Sequence, residues 1–175
     1  MTAGCEPLVL EGVFSRDARG DFHKPYPLPA SSGIDFEVRE IFWSSSAKGV
    51  IRGMHFQFVP DDVAKIIWVS QGSIHDVLVD LREGEAFGTT SIYPLDSRSG
   101  RALYVPSGFA HGYQSLEDGT IVSYAQDGVF SPARDAGIRW DTIGVDWPLI
   151  PTEISIRDMN HPALNEFSRP FPPLT

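Results

Sequence analysis

Lys65-Ile66-Ile67-Trp68-Val69-Ser70, the dipeptide Gln71-Gly72, and Ser73-Ile74-His75-Asp76-Val77-Leu78-Val79-Asp80 form the stretch whose reading decides the fold. Each run is rich in β-branched and aromatic residues, and a turn dipeptide parts them. Alternation with period two puts Lys65, Ile67 and Val69 on one side of the first run and Ile66, Trp68 and Ser70 on the other. Both sides are largely apolar, so this strand is expected to be covered on both faces. The Lys65 ammonium is then expected to point into an enclosed space rather than into water. Gln71-Gly72 suits a tight turn, and the two runs are expected to pair as a hairpin.

Outward from this stretch, further β-prone runs span Phe36–Trp43, Val50–Phe58, Thr89–Leu95, Ala102–Val105, Gly112–Ser115 and Thr120–Gln126. Sixteen glycines and fourteen prolines cut the chain into such short pieces, and Pro106-Ser107-Gly108 adds a turn before His111. No window of about 15 residues keeps apolar positions at helical spacing, so helices are expected to be short or absent. The expectation is an all-β sandwich or barrel in a single domain spanning residues 1–175, a length suited to one core. Beyond Trp147, Pro148, Pro151, Pro162, Pro170, Pro172 and Pro173 predict an extended C-terminal segment wrapping that core.

Composition removes several function classes. A net charge of −9 argues against a nucleic-acid surface, although a small anionic ligand needs only a few cations focused in a cleft. No apolar run approaches the roughly 20 residues of a membrane span. The N-terminus lacks a secretory pattern and Cys5 has no second cysteine to pair with, so a cytoplasmic location is expected.

Candidate chemistry lies in three segments. His55, in Arg52-Gly53-Met54-His55-Phe56-Gln57, has the side chain best suited to general base work near neutrality. Strict alternation puts Arg52 and His55 on opposite faces. They share a pocket only if the strand breaks its period between them, and Gly53 is where a bulge fits. Lys65 offers a cation to a developing oxyanion, and Tyr124, closing Thr120–Tyr124, offers a phenolic acid. Against these stand plainer readings: a hydrogen-bonded strand histidine, a core tyrosine with one satisfied hydroxyl, and, for Asp158, a solvated turn carboxylate. Were Asp158 to return to His55, it would fix the imidazole tautomer. His23 and His161 read as solvated. The paired histidines and glutamate of a metal-binding cupin are missing after His55, so a catalytic metal is not expected. Arg19, Arg52 and Arg157 adjoin these segments and suit diphosphate recognition.

Several motifs carry a resemblance: Arg19-Gly20-Asp21-Phe22, Gly49–Gln57, Asp80-Leu81-Arg82, Phe87-Gly88, Pro106–Gly112, Gly137–Trp140, Trp147-Pro148 and Ser155-Ile156-Arg157-Asp158. In this order they resemble the dTDP-4-dehydrorhamnose 3,5-epimerase family. The resemblance implies a cupin-type jelly roll with extended N- and C-terminal segments, acting without a cofactor on a nucleotide-diphosphate 4-keto-6-deoxysugar. It implies that His55 is the base, Asp158 its dyad partner, Tyr124 the acid on the opposite face and Lys65 the enolate stabiliser. Arg52, His111 and Arg157 would hold the ligand, with Arg19 and Phe22 lent by the neighbouring subunit of a homodimer. Glu40, Phe42, Lys24 and Phe130 depart from the family pattern, which carries glutamine, asparagine, glutamate and a second tyrosine there. Two other readings stay open, a nucleotide-sugar 3,4-ketoisomerase and a non-catalytic or metal-dependent cupin.

Overall fold

The structure, a computed structural model, describes residues 6–25, 34–167 and 171. Expectations for Cys5, Pro170, Pro172 and Pro173 lie outside these residues.

Twelve strands run through the described residues: β1 (Leu8–Glu11), β2 (Val13–Asp17), β3 (Gly20–Lys24), β4 (Glu40–Ser46), β5 (Ile51–Gln57), β6 (Lys65–Gln71), β7 (Ser73–Asp80), β8 (Thr90–Asp96), β9 (Arg101–Val105), β10 (Phe109–Ser115), β11 (Thr120–Gln126) and β12 (Asp135–Gly137). A single helical turn, α1 (Ile156–Met159), follows. Two five-stranded antiparallel sheets, ordered β1-β9-β6-β11-β4 and β12-β5-β10-β7-β8, form the jelly-roll sandwich, with β2-β3 as a separate ribbon. The all-β expectation holds.

The expected hairpin at Gln71-Gly72 does not form. β6 pairs with β9 and β11, whereas β7 pairs with β10 and β8 in the facing sheet. Gly72, at φ +80°, turns a corner between sheets, and a Cβ there would lie 2.4 Å from Thr120 Oγ1. The physical reason is burial on both faces. Ile67 and Val69 of β6 meet Ile74 and Leu78 of β7 across the interior, in one cluster with Leu95, Leu103, Phe109 and Val122. A flat hairpin would leave one of those faces wet.

The other faces are covered by the chain ends. Met54, Phe56, Val77 and Val79, on the outside of the second sheet, pack under Ile138, Ile143 and Phe171, with Trp147, Leu164 and Phe167 alongside. The C-terminal wrap is therefore present. Ile66, Ala102 and Tyr104, outside the first sheet, pack with Leu10, Ala64 and Phe36. Each fully buried Ile, Leu, Val, Phe or Met among them contributes roughly 1.5–3 kcal/mol.

β4 begins four residues later than the sequence suggests. Phe36 leaves the sheet to pack edge-on against Tyr104 at 6.2 Å, while pairing with β11 carries the strand through three serines, as far as Ser46 opposite Thr120. The β2-β3 ribbon is exposed along its whole length.

Candidate active site

β5 carries the bulge that its glycine allows. His55 lies opposite His111 and Arg52 opposite Tyr113, so β5 spends one more residue than β10 between the same two rungs. Gly53 has φ +132°, and a Cβ on it would lie 2.5 Å from the Cα of Gly112. Only glycine fits this backbone approach. The extra residue restores Arg52 and His55 to one face, the face of His111 and Tyr113.

Asp158 does return to His55. It sits on α1, whose N-cap Ser155 accepts a hydrogen bond from the Asp158 amide at 3.0 Å. Asp158 as a whole is only 3% exposed. His55 Nε2 lies 2.8 Å from Oδ1, and the Gly53 amide donates to Oδ2 at 3.1 Å. Burial alone would raise this carboxyl's pKa, but the bonds from His55 and Gly53 outweigh it and hold it at about 2. An ionised carboxylate only accepts hydrogen bonds. His55 therefore presents an N–H at Nε2 to Asp158, and in the neutral imidazole Nδ1 is the nitrogen with the free lone pair.

His161 was expected to be solvated, and the structure corrects this. Its side chain is 12% exposed, with Nε2 3.7 Å from Asp158 Oδ1, and its ring lies edge-on to His55 at 5.8 Å. The buried Nε2 has no hydrogen-bond partner among the described residues, and burial lowers its pKa, so the ring is neutral near neutrality. His55, Asp158 and His161 bring their ligand atoms within 4.8 Å of one another. The cluster is hidden in sequence because His55 stands 103 residues before Asp158, although His161 follows Asp158 within one turn.

A cavity of about 340 Å³ opens beside the dyad, lined among others by Glu40, Phe42, His55, Lys65, Phe130 and Arg157. Its size suits a small-molecule site. Lys65 faces inward with Ile67 and Val69, as period two predicts. Burial pulls its ammonium down to about 8, against the opposing pull of Asp135. Glu40 Oε2 accepts from Gln126 Nε2 at 2.9 Å and from the Phe130 amide at 2.7 Å, which fixes one wall. Arg157 is held by Asp135 at 2.7 Å.

Tyr124 is buried one layer behind that wall. Phe42 lines the cavity and stacks flat on the Tyr124 ring, with centroids 4.6 Å apart and planes 9° apart. The His111 ring stands edge-on to Tyr124 at 5.9 Å. Burial pushes the Tyr124 phenol far up, Tyr113 and Asp76 adding to it, so the hydroxyl keeps its proton at any ordinary pH. His111 is in turn held by Asp76, Nε2 to Oδ2 at 2.7 Å, with Asp76 fully buried. Asp76 was missed in the sequence, although a carboxylate inside the apolar run Ile74–Val79 was its signal. Arg52 donates to Ser46 Oγ and to the Ser45 carbonyl, both at 3.0 Å, and Ser46 passes the network to the Tyr113 hydroxyl at 3.0 Å.

Tyr124, His111 and Arg52 are not among the residues lining the cavity, and Arg19 and Phe22 are not brought near it within one chain. Arg19, on the turn of the β2-β3 ribbon, pairs with Asp17 and is 90% exposed, and Phe22 on β3 is exposed as well. Neither lines the cavity.

The profile of the dTDP-4-dehydrorhamnose 3,5-epimerase family matches residues 5–166. The chain is 34% identical over 159 residues to dTDP-4-dehydrorhamnose 3,5-epimerase of Mycolicibacterium smegmatis, covering 88% of this chain and 79% of that protein. It is 32% identical over 172 residues to dTDP-4-dehydrorhamnose 3-epimerase of Streptomyces niveus, covering 91% and 83%. It superposes on the crystal structure of dTDP-4-dehydrorhamnose 3,5-epimerase from Bacillus anthracis, solved with TDP and PPi bound, at a TM-score of 0.85 and 35% identity, covering 90% of this chain and 94% of that one. The sandwich, the imidazole-carboxylate dyad in its cavity and these matches agree: the chain belongs to the dTDP-4-dehydrorhamnose 3,5-epimerase family.

Proposed function

We propose that this epimerase inverts C3, C5 or both in a nucleotide-linked 4-keto-6-deoxyhexose, with side chains alone carrying the protons. The observation that carries the reading is His55, bonded to an ionised Asp158 and sharing a cavity with Lys65. Nδ1 of His55 takes the proton α to the C4 ketone, and Asp158 stabilises the imidazolium that results. The Lys65 ammonium meets the charge on the enolate oxygen. The Tyr124 phenol returns a proton to the opposite face once Phe42 yields the space between phenol and sugar. Arg52, His111 and Arg157 hold the ketone and diphosphate. Bound TDP in the Bacillus anthracis relative supports a thymidine nucleotide as the handle. Phe130 presents no hydroxyl to the cavity, and the Streptomyces niveus relative is a 3-epimerase, so inversion at C3 alone is among the outcomes.

Product NMR after incubation with dTDP-4-keto-6-deoxyglucose tests the proposal. The expected product keeps its carbonyl at C4 and changes configuration at C3 or C5. A carbonyl moved to C3 would instead make the protein a ketoisomerase.

Lys65→Met is expected to lose most activity and yet to gain stability. Because burial depresses the Lys65 pKa, the folded state binds fewer protons than the unfolded chain between about pH 8 and 10.5. Stability therefore rises with pH through that window, and the cost of the buried charge is present in full below pH 8. That cost is at most on the order of 3 kcal/mol, less where the open cavity screens it. Urea melts at pH 7 should show Lys65→Met more stable than the parent; a loss of stability would show that the charge is well compensated.

The protein is also proposed to act as a homodimer, as the exposed β2-β3 ribbon and the edge strand β4 suggest. An isolated two-stranded ribbon is marginal in water, and Ile41 and Trp43 on β4 are 63% and 71% exposed. A neighbour covering these surfaces would bring Arg19 and Phe22 towards its own cavity. Sedimentation equilibrium is expected to give twice the chain mass of 19.3 kDa; a monomer at micromolar concentration would remove the shared-site reading.

A further inference from the structure

We infer that His55, Asp158 and His161 form a zinc site that shuts the enzyme off. The donor set is two imidazole nitrogens and one carboxylate oxygen, which suits Zn²⁺ and not the oxygen-seeking Mg²⁺ or Ca²⁺. The geometry is close to what the ion needs. Bonds of about 2.0–2.2 Å put neighbouring ligands of a tetrahedron about 3.4 Å apart. The two separations from Asp158 Oδ1, 2.8 Å to His55 Nε2 and 3.7 Å to His161 Nε2, bracket that value, and with all three ligand atoms within 4.8 Å of one another the two imidazoles must draw together as the ion binds.

His161 supplies the observation that points to a ligand. Its Nε2 is buried and has no partner among the described residues, an arrangement that costs free energy unless something binds there. An opening bounded by Arg52, His55, Ser155 and Asp158 leads to the dyad and gives the ion its path. Arg157, with Nε 4.0 Å from Asp158 Oδ1, opposes a second cation, but its charge is already met by Asp135 at 2.7 Å.

Inhibition follows from the tautomer, and this part rests on the proposed role of His55. In the metal-free dyad Nε2 carries the proton and Nδ1 is bare. Zinc on Nε2 displaces that proton to Nδ1, the nitrogen that the reaction needs unprotonated. Ring and ion are then locked to Asp158.

The test uses the tag-free full chain in a Cys5→Ser background, which removes the thiol as a competing ligand. Zinc affinity is read by competition with a chromophoric chelator in the absence of substrate, and turnover is read with and without EDTA. One zinc per chain is expected, with inhibition reversed by EDTA and no effect of Mg²⁺. In His161→Gln both zinc affinity and zinc inhibition should weaken at least about 10-fold. Absence of binding, or equal affinity in His161→Gln, would overturn the inference. Should His161→Gln fail to fold by circular dichroism, Co²⁺ on the parent protein decides. Tetrahedral visible bands bleached by zinc support the site, and an octahedral spectrum refutes it. Zinc binding without any epimerase activity would sink the functional reading and leave the metal site standing.

Discussion

His55→Ala is expected to stop solvent deuterium from entering the sugar and to lower turnover by about 10³-fold, within the range of 10²–10⁴ for loss of a positioned general base. Which ring nitrogen is free decides this. Asp158 is held ionised by the Gly53 amide and His55, so Nε2 keeps the ring proton and Nδ1 alone can act as base. No other described residue lining the cavity pairs an imidazole with an orienting carboxylate. A thermal melt separates lost chemistry from lost fold, since removing the imidazole leaves Asp158 buried with one partner fewer. Unchanged deuterium uptake in a folded His55→Ala protein would remove His55 from the mechanism.

Tyr124→Phe is expected to separate exchange from inversion. His55 still removes the proton and returns a deuteron to the same face, so uptake should stay within a few-fold of the parent. Inversion should fall by about 10²-fold or more, because the only proton carried by the phenol is gone. Stability should change little, because the variant keeps the buried ring and its stacking on Phe42. The measurement is the ratio of deuterium in recovered substrate to deuterium in epimerised product. A variant that inverts as fast as the parent would assign the acid to another group, with His111, 5.9 Å from the Tyr124 ring, the first to examine.

Much of the site was legible because its signals are local. Lys65 announces itself as a lysine in a strand apolar on both faces, and β6 places it inward. Gly53 between Arg52 and His55 marks the bulge that unites them, and the register between β5 and β10 shows it. Asp158 was legible through the family motif, whereas its burial was not, because the His55 partner stands 103 residues away in the chain. His161 and Asp76 were missed for related reasons. A histidine beside Pro162 looks solvated until Gly137 is found against its ring, where a Cβ would lie 2.4 Å from Nε2. The misread turn at Gln71-Gly72 shows the limit of turn chemistry: it predicts a reversal and says nothing about which sheet the chain enters next. The β2-β3 ribbon went unread because Ser15, Arg16, Asp17, Arg19 and Asp21 interrupt its apolar pattern, as befits strands exposed throughout.

The most direct test is a run in heavy water with dTDP-4-keto-6-deoxyglucose, locating deuterium in the sugar at each stage of turnover. Deuterium is expected at every inverted carbon adjacent to C4 and at no other position, with the carbonyl staying at C4. Epimerised product free of solvent deuterium from an unhindered site, or label at a carbon that the C4 enolate cannot reach, would contradict this mechanism.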